Sequence, residues 1–257
     1  MIDRFGGQMF EDIKDKKVLV TGASSGIGAC IAELFSSYGA VVGIHYNNNE
    51  EGARRKFNSI KSWNKKAGLF KADLLNFKEV ETLFNSFIER FGRIDVLINN
   101  AGAVIGDKDF LEIDEEFWDK TFFLNLKAPF FLATKAFSFM KGRGGGRVIN
   151  ISSVAAKYGG SERSLHYGAA KAALENVTVA LARLGAPYDI LVNCIRASVI
   201  DTPFHQKFEK RNLEKRIKLI PLKRMGKPID IARMALFLAS NGGNFITGQI
   251  FSVTGGE

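Results

Sequence analysis

The sequence predicts one α/β domain in which helices cover both faces of a parallel sheet of about seven strands. Short apolar runs alternate with longer segments of helical periodicity along the chain, which is the pattern of a doubly wound parallel sheet. The first of these runs leads directly into a glycine-rich turn and then a helix. A length of 257 residues, with 46% hydrophobic and 25% charged residues, is ordinary for one globular domain of this type. The predicted class is therefore a single-domain Rossmann-type fold.

The first half of the chain contains four predicted strands and three predicted helices. Residues 18–20 have the length and apolar character of a buried parallel strand. The helix after them, 27–38, has one apolar face and ends before Gly39. An asparagine-rich turn follows the second strand, and Gly92 ends the third helix. The remaining elements predicted here are strands 41–46, 69–72 and 94–98 and helices 50–62 and 80–91.

The second half begins with a long predicted helix over residues 114–140. Asp114, followed by two glutamates, is a favourable helix start. The helix is apolar on nearly all sides, so we expect it to be buried on several faces, one of them in a subunit interface, and Pro129 could kink it. Residues 200–225 have the weakest periodicity and are interpreted as a mobile, basic region over the site. The other predicted elements are strands 147–151, 190–195 and 249–253 and helices 165–184 and 228–240.

Composition and charge argue against several classes of protein. The net charge of +9 is compatible with nucleic acid, but no nucleic-acid-binding motif occurs and the basic residues are spread along most of the chain. A solvated basic surface or an acidic small molecule or partner explains the charge equally well. No apolar run approaches the ~20 residues of a membrane span, and residues 1–14 are predicted to be a polar N-terminal extension, without a signal peptide, before a main domain 15–257.

Cysteines and histidines give no sign of a disulfide framework or a metal site. Cys30 and Cys194 are far apart in the sequence, which indicates two reduced thiols in a cytoplasmic protein. The three histidines, His45, His166 and His205, do not have the spacing of metal ligands. We therefore expect no metal.

The turn after the first strand is a candidate phosphate-binding site. Gly22, Gly26 and Gly28 have the spacing Gly-x3-Gly-x-Gly and lie where a strand passes into a helix. Backbone N–H groups and a helix N-terminus then point at one place, and glycines allow the backbone to approach a pyrophosphate. No Gly-Lys-Ser/Thr follows, which argues against a nucleoside-triphosphate loop. The alternative is a purely structural turn.

Polar residues follow several of the predicted strands, where an open parallel sheet binds its ligands. They are Asp73 after the third strand, residues 99–102 after the fourth and Ser152 and Ser153 after the fifth. On the next helix Tyr167 and Lys171 share one face because they are four residues apart. A nearby ammonium favours the phenolate of a tyrosine, so Tyr167 could act as general acid toward a carbonyl oxygen that Ser153 holds.

In this order the motifs resemble those of the short-chain dehydrogenase/reductase family over about residues 15–256. Thr-Gly-Ala-Ser-Ser-Gly-Ile-Gly at 21–28 looks like the Thr-Gly-x3-Gly-x-Gly cofactor motif of that family. Asn-Asn-Ala-Gly at 99–102 and the Tyr-x-x-x-Lys of residues 167–171 are similar to two further family motifs. The end of the chain, 246–256, resembles the family's last strand and glycine pair.

The resemblance implies specific roles. Ser153, Tyr167, Lys171 and Asn125 correspond to the catalytic residues. Lys171 would hold the nicotinamide ribose and lower the pKa of Tyr167, and Asn125 would support a water that relays protons toward Lys171. The residues expected to bind the cofactor are Gly22, Ser24, Ser25, Gly26, Ile27, Gly28, Tyr46, Asn47, Asp73, Leu74, Asn100, Ala101, Gly102, Tyr167, Lys171, Ile200 and Thr202. Among them, Asp73 matches the aspartate that contacts adenine, and Ile200 and Thr202 would touch the carboxamide side of the nicotinamide.

Two departures from the family pattern stand out. Ser153 and Tyr167 are 14 residues apart, one more than in the commonest members. Ala197 and Ser198 replace the usual Pro-Gly after the sixth strand, which puts the geometry of that turn in doubt. Arg196 next to them could face the substrate or lie on the surface.

The end of the second strand decides the expected cofactor. NAD-dependent enzymes of this type usually have an acidic residue there, whereas this chain has Tyr46 and then Asn47. Asn47, Asn48, Ser24 or Ser25 could hydrogen-bond a 2′-phosphate, and Arg54 or Arg55 could reach it. NADP(H) is therefore expected in preference to NAD(H).

The predicted activity is interconversion of a carbonyl and a secondary alcohol by hydride transfer, with a small-molecule substrate or an acyl thioester. Residues 221–240 resemble the branch that contains the 3-oxoacyl-(acyl-carrier-protein) reductases, and the basic residues of 203–227 suit an acidic carrier, so that activity is one alternative. Residues 186–188 lack the basic residue that carrier-using members tend to have. A non-catalytic nucleotide-binding regulatory protein is the alternative from another class. We expect a homotetramer or a dimer, with no nucleic acid and no membrane as partner.

Overall fold

The computed structural model describes residues 10–64, 66–203 and 210–257 and confirms the predicted doubly wound α/β fold. Within these residues one parallel sheet has the strand order β3-β2-β1-β4-β5-β6-β7. The strands are β1 Lys17–Val20, β2 Val41–Tyr46, β3 Ala67–Lys71, β4 Val96–Asn99, β5 Gly146–Ser153, β6 Ile190–Ala197 and β7 Ile250–Val253.

Helices cover both faces of the sheet. They are α1 Gly26–Ser37, α2 Glu50–Trp63, α3 Phe77–Phe91, α4 Glu115–Phe122, α5 Ala128–Met140, α6 Ala155–Tyr158, α7 Leu165–Gly185, α8 Lys210–Leu219 and α9 Pro228–Ala239. The strands supply side chains to both cores in alternation: Val18 and Val20 pack with α1 and α9, whereas Leu19 packs with α3 and α5. No helix in the described part of the chain is both long and apolar enough to cross a membrane.

The order in which successive strands are added to the sheet reverses between β1 and β4. These two strands are neighbours, with Val20 opposite Ile98, although β2 and β3 lie between them in sequence. A crevice therefore opens beyond their carboxyl ends, where doubly wound sheets bind ligands. The glycine turn and residues 99–102 both lie at this point.

The structure differs from the sequence predictions in three segments. The predicted helix 114–140 contains a π-helical turn, Phe123–Lys127, between α4 and α5, and Pro129 follows it in the first turn of α5. Residues 200–225 include the helix α8, for which no element was predicted, while 204–209 lie outside the described residues. The interpretation of 200–225 as a mobile region stays a prediction. Ile13, inside the predicted extension 1–14, is completely buried in the core; the domain boundary itself stays a prediction.

Candidate active site

The glycine turn and the loop after β4 are held together by Thr21 and Asn100. The Thr21 hydroxyl accepts hydrogen bonds from the backbone N–H groups of Asn100 and Ala101, at 2.9 and 3.0 Å. The Asn100 side chain donates to the carbonyls of Thr21 and Gly22, at 2.9 and 3.1 Å. Each side chain thus bonds to backbone groups of the opposite loop, so the two loops form one rigid wall of the crevice.

The glycine turn has the shape that a pyrophosphate requires. Gly22 and Gly26 have φ angles of +63° and +55°, which favour glycine. A Cβ on Gly28 would lie 2.4 Å from the Gly22 carbonyl oxygen, so a larger residue would push turn and helix apart. Ser25 begins α1 without a side-chain capping bond, which leaves the first amides of the helix for a ligand. The turn therefore fits a dinucleotide phosphate.

The ends of β2 and β3 form the side of the crevice at which the adenine is expected. Asp73 accepts hydrogen bonds from the Asn47 side chain at 3.1 Å and from the Leu75 N–H at 3.0 Å, both at Oδ1. The side chains of Tyr46 and Leu74 are buried in the two cores, at 7% and 3% exposure. Any contact of these residues with a cofactor would therefore be made by their backbone atoms. Ser24 and Ile27 are partly exposed along the turn.

Ser153, Tyr167 and Lys171 come together where β5 ends beside α7. The Ser153 side chain lies near the Tyr167 phenol and lowers its pKa, and the Ser153 hydroxyl accepts from the Ala155 N–H at 3.2 Å. The Lys171 ammonium donates to the Ile151 carbonyl at 2.9 Å and lies 5.7 Å from the centre of the Tyr167 ring. The structure thus places a hydroxyl, a phenol and an ammonium side by side at the carboxyl edge of the sheet.

The protonation states of these groups follow from burial. Burial raises the pKa of Tyr167 to about 12, against a smaller lowering by the Ser153 side chain. Burial lowers the pKa of Lys171 to about 8, against smaller increases from Cys194 and Glu175. Loss of solvation disfavours the phenolate and so holds the pKa of Tyr167 above the usual value of a phenol. The lowering expected from Lys171 stays a prediction. Tyr167 is a neutral phenol at neutral pH.

Asn125 lies in the π-helical turn and fastens the loop that follows β4. Its side chain accepts from the Ala103 N–H at 3.2 Å and donates to the carbonyls of Ala103 and Thr121, at 2.9 and 3.0 Å. A Cβ on Gly102 would lie 2.7 Å from Asn125 Oδ1 and 2.9 Å from Lys171 Nζ, so this glycine allows the loop to approach both side chains. The π turn aims Asn125 at the site, which is a frequent use of such turns.

The segment after β6 closes the crevice from the other side. Thr202 is buried, and its methyl group would lie 3.1 Å from a Cβ on Gly26, so it faces the glycine turn. The Ile200 side chain packs in the core against Gly226, and its carbonyl accepts from the Thr202 hydroxyl at 3.2 Å. Thr202 therefore faces the glycine turn with its side chain, whereas Ile200 has its side chain in the core; contact of either residue with a nicotinamide stays a prediction.

Several polar residues of the site were not assigned a role from the sequence. Arg196 forms a bidentate ion pair with Glu175, at 2.9 and 2.6 Å, and its side chain is 20% exposed. Ser152 donates to the same carboxylate at 2.8 Å. His45 lies under the glycine turn, where its ring contacts Gly22. Glu175 follows Lys171 by one helical turn, and that spacing is the one sequence signal that could have identified it.

Comparisons with known proteins agree with this geometry. Residues 22–257 match a family described as enoyl-(acyl carrier protein) reductase. The 3-oxoacyl-[acyl-carrier-protein] reductase FabG of Thermotoga maritima is 32% identical over 95% of this chain and 98% of its own. The NAD-dependent glycerol dehydrogenase of Listeria innocua is 35% identical over 95% of this chain and 94% of its own.

A solved structure is similar in the same way. The angucycline C-6 ketoreductase LanV with bound NADP superposes with a TM-score of 0.87 at 33% identity, covering 95% of this chain and 96% of that one. The relatives thus differ in the substrates and cofactors that their names give, while they share fold and length with this chain.

Proposed function

The chain belongs to the short-chain dehydrogenase/reductase family, and we propose that it reduces the carbonyl group of a small molecule with NADP(H), using Tyr167 as general acid. It is an NAD(P)-dependent oxidoreductase acting on CH–OH and C=O groups. The observation that carries the proposal is the grouping of Ser153, Tyr167 and Lys171 beside the glycine turn. The cofactor, when bound, supplies the hydride; the side chains supply and hold the proton.

The protonation state of Tyr167 fits its proposed role as the general acid in reduction. A phenol with a pKa of about 12 is protonated at neutral pH, which is the state that donates to a carbonyl oxygen. Ser153, which lies near the phenol, would orient the same substrate oxygen. Lys171 is mostly charged below its pKa of about 8 and would stabilise the negative charge left on Tyr167. Oxidation would need Tyr167 to lose its proton first.

A water on the far side of Lys171 would return the proton. Pro129 has no amide hydrogen and cannot donate to the Asn125 carbonyl four residues before it. That carbonyl, in the π turn, is the acceptor we propose for the water, while the Asn125 side chain keeps the loop in place. This arrangement supports catalysis more than the alternative of a non-catalytic nucleotide-binding protein.

The preference for NADP(H) rests on the end of β2. Residues 45–49 contain no acid that would repel a 2′-phosphate, and Asn47 offers an amide there. Arg54 and Arg55 form exposed ion pairs with Glu50 and Glu51 along α2 and stay candidates for the 2′-phosphate. Titration of the protein with NADPH and NADH, followed by cofactor fluorescence, tests this: we expect tighter binding of NADPH. Tighter binding of NADH would overturn the cofactor proposal alone.

Replacement of the phenol tests the catalytic proposal separately. Tyr167→Phe should lower the rate of carbonyl reduction by about 10²–10⁴-fold, the usual contribution of a general acid, and leave the dissociation constant for NADPH within about threefold of the wild-type value. A panel of small ketones and acetoacetyl thioesters provides the substrates. Turnover by Tyr167→Phe at the wild-type rate would remove Tyr167 from the mechanism.

The substrate class within this activity follows from the same panel. The acyl-carrier-protein reductase alternative is kept because residues 213–227 carry several basic side chains, which suit an acidic carrier protein. Among them are Lys215, Lys218 and Lys223. A preference for thioesters over simple ketones would support it. We also propose a cytoplasmic location, because Cys30 and Cys194 are both free thiols.

A further inference from the structure

His45 is a buried side chain on β2 that has no part in the proposed proton transfer. The ring is 2% exposed and points to the sheet face opposite to its neighbours Ile44 and Tyr46. Its Nδ1 atom is 3.0 Å from the Gly22 nitrogen, and its Nε2 atom is 3.1 Å from the Ala72 carbonyl oxygen. One imidazole therefore bridges the glycine turn after β1 and the residue that precedes Asp73.

The two partners determine which tautomer is present. A backbone N–H can only donate, so Nδ1 must accept from Gly22 with its lone pair. A carbonyl oxygen can only accept, so Nε2 must carry the hydrogen that is donated to Ala72. The ring is consequently neutral, and a second proton on Nδ1 would face the Gly22 N–H directly.

The backbone of His45 contributes a third contact to the same turn. Its carbonyl accepts from the Ala23 N–H at 2.8 Å, so two consecutive amides of the turn are held by one residue. Gly22 has a φ of +63°, and this turn has few other bonds toward β2 among the described residues. The position of the turn relative to β2 and β3 thus depends on His45.

We propose that His45 is a positioning residue for the dinucleotide cofactor, holding the glycine turn and Asp73 at the separation that the two ends of the ADP moiety require. The inference rests on the proposed function, since it assigns the glycine turn to the pyrophosphate and Asp73 to the adenine. Loss of the bridge removes the side-chain link between the two segments, and the cost falls on cofactor binding rather than on proton transfer at Tyr167.

Three substitutions separate the two hydrogen bonds. His45→Asn keeps an acceptor near the position of Nδ1, His45→Gln keeps a donor near the position of Nε2, and His45→Phe removes both while it retains a ring. Direct titration with NADPH is the readout, with kcat at saturating NADPH as the second. We expect His45→Phe to weaken NADPH binding at least about tenfold, or about 1.4 kcal/mol, with kcat within about threefold. His45→Asn should recover more of the affinity than His45→Gln, because it retains the bond to the turn.

Asn193 provides a matched control at the other side of the sheet. It is 1% exposed on β6, donates to the Ile246 carbonyl at 2.8 Å and accepts from the Gln249 N–H at 3.0 Å. Asn193→Leu therefore also removes a buried bridge between two backbone groups. It should lower the Tm as much as His45→Phe does and leave NADPH affinity unchanged.

Each outcome bears on the inference. Wild-type affinity in His45→Phe, or equal weakening in Asn193→Leu, would overturn it. If His45→Phe does not fold, the other two variants decide: wild-type affinity in both overturns the inference, and weaker binding by His45→Gln than by His45→Asn supports it. Failure of the wild-type protein to bind NADPH or NADH would instead overturn the proposed function.

Discussion

Lowering the pH should destabilise this protein through His45 by an amount that the structure specifies. Burial lowers the pKa of His45 from 6.5 to about 4, with smaller opposing effects from the Ala72 hydrogen bond and from Asp73. Because the folded-state pKa is the lower one, the unfolded chain takes up the proton first as the pH falls. The contribution is therefore complete above pH 6.5 and is lost progressively between pH 6.5 and about 4. A gap of about 2.5 pH units at about 1.4 kcal/mol per unit amounts to about 3 kcal/mol.

Urea unfolding of the wild-type protein and of His45→Asn at pH 7 and at about pH 4.5 measures this contribution. Between these pH values the wild type should lose about 2.5 kcal/mol more free energy of unfolding than the variant. Other titrating groups, His166 among them, are present in both proteins and cancel in the comparison. An equal loss in the two proteins would refute the reasoning, because His45 would then bind its proton as readily in the folded chain as in the unfolded one.

Three further predictions concern the active site and the assembly. Glu175→Gln should move the alkaline fall of the reduction rate to lower pH by about half a unit or more, seen in a pH–rate profile, because Glu175 raises the pKa of Lys171. Ser153→Ala should lower kcat about 10–10³-fold with NADPH affinity unchanged; an unchanged kcat would exclude Ser153 from holding the substrate oxygen. Phe122→Glu should reduce the mass measured by light scattering, because Phe122 lines an apolar groove of about 410 Å³ together with Asp119 and Lys127. Asp119 of one subunit could pair with Lys127 of a second across a two-fold axis. A monomeric wild-type protein would end the proposal of a dimer or tetramer.

The order of strands and helices could be predicted because both faces of the parallel sheet are buried, which makes each strand a short apolar run. The residues at which the strands end could not be predicted in this way. β5 was expected to end at Ile151, but it continues through Ser152 and Ser153, which pair with Arg196 and Ala197 of β6. Those residues are polar because they reach the crevice, and an apolar pattern cannot include them.

Helix α8 was missed for a related reason. Its sequence, Lys-Arg-Asn-Leu-Glu-Lys-Arg-Ile-Lys-Leu, contains few apolar residues to mark one face. Arg216 nonetheless forms an ion pair with the Glu257 side chain, which is only 8% exposed. A contact between residues so far apart in sequence holds part of the helix in place, and no local pattern predicts it.

Within the site, linear motifs identified the residues whose chemistry depends on type and spacing, such as Tyr167 and Lys171. Residues that act through tertiary contacts were not found. Glu175 and Arg196 meet only because α7 packs on β6, and His45 reaches Gly22 and Ala72 only because β2 lies between β1 and β3. Burial, the largest effect on the pKa of Tyr167, is likewise not visible in a sequence.

The turn that replaces the family's Pro-Gly shows how a local departure is compensated by distant residues. Ala197 remains in the sheet, opposite Ser153 and Val253, and its carbonyl accepts from the Val154 N–H at 2.9 Å. β6 therefore stays paired beside the catalytic serine without a proline to fix the chain.

Ser198 adds a bond that the usual glycine could not form. Its hydroxyl donates to the Glu257 carboxylate, and the same carboxylate pairs with Arg216 of α8. The Glu257 carbonyl in turn accepts from the Thr254 hydroxyl at 2.9 Å. Side-chain contacts thus constrain a turn that proline would otherwise stiffen, so the departure at 197–198 is compatible with a working nicotinamide site and does not by itself argue for a protein without catalysis.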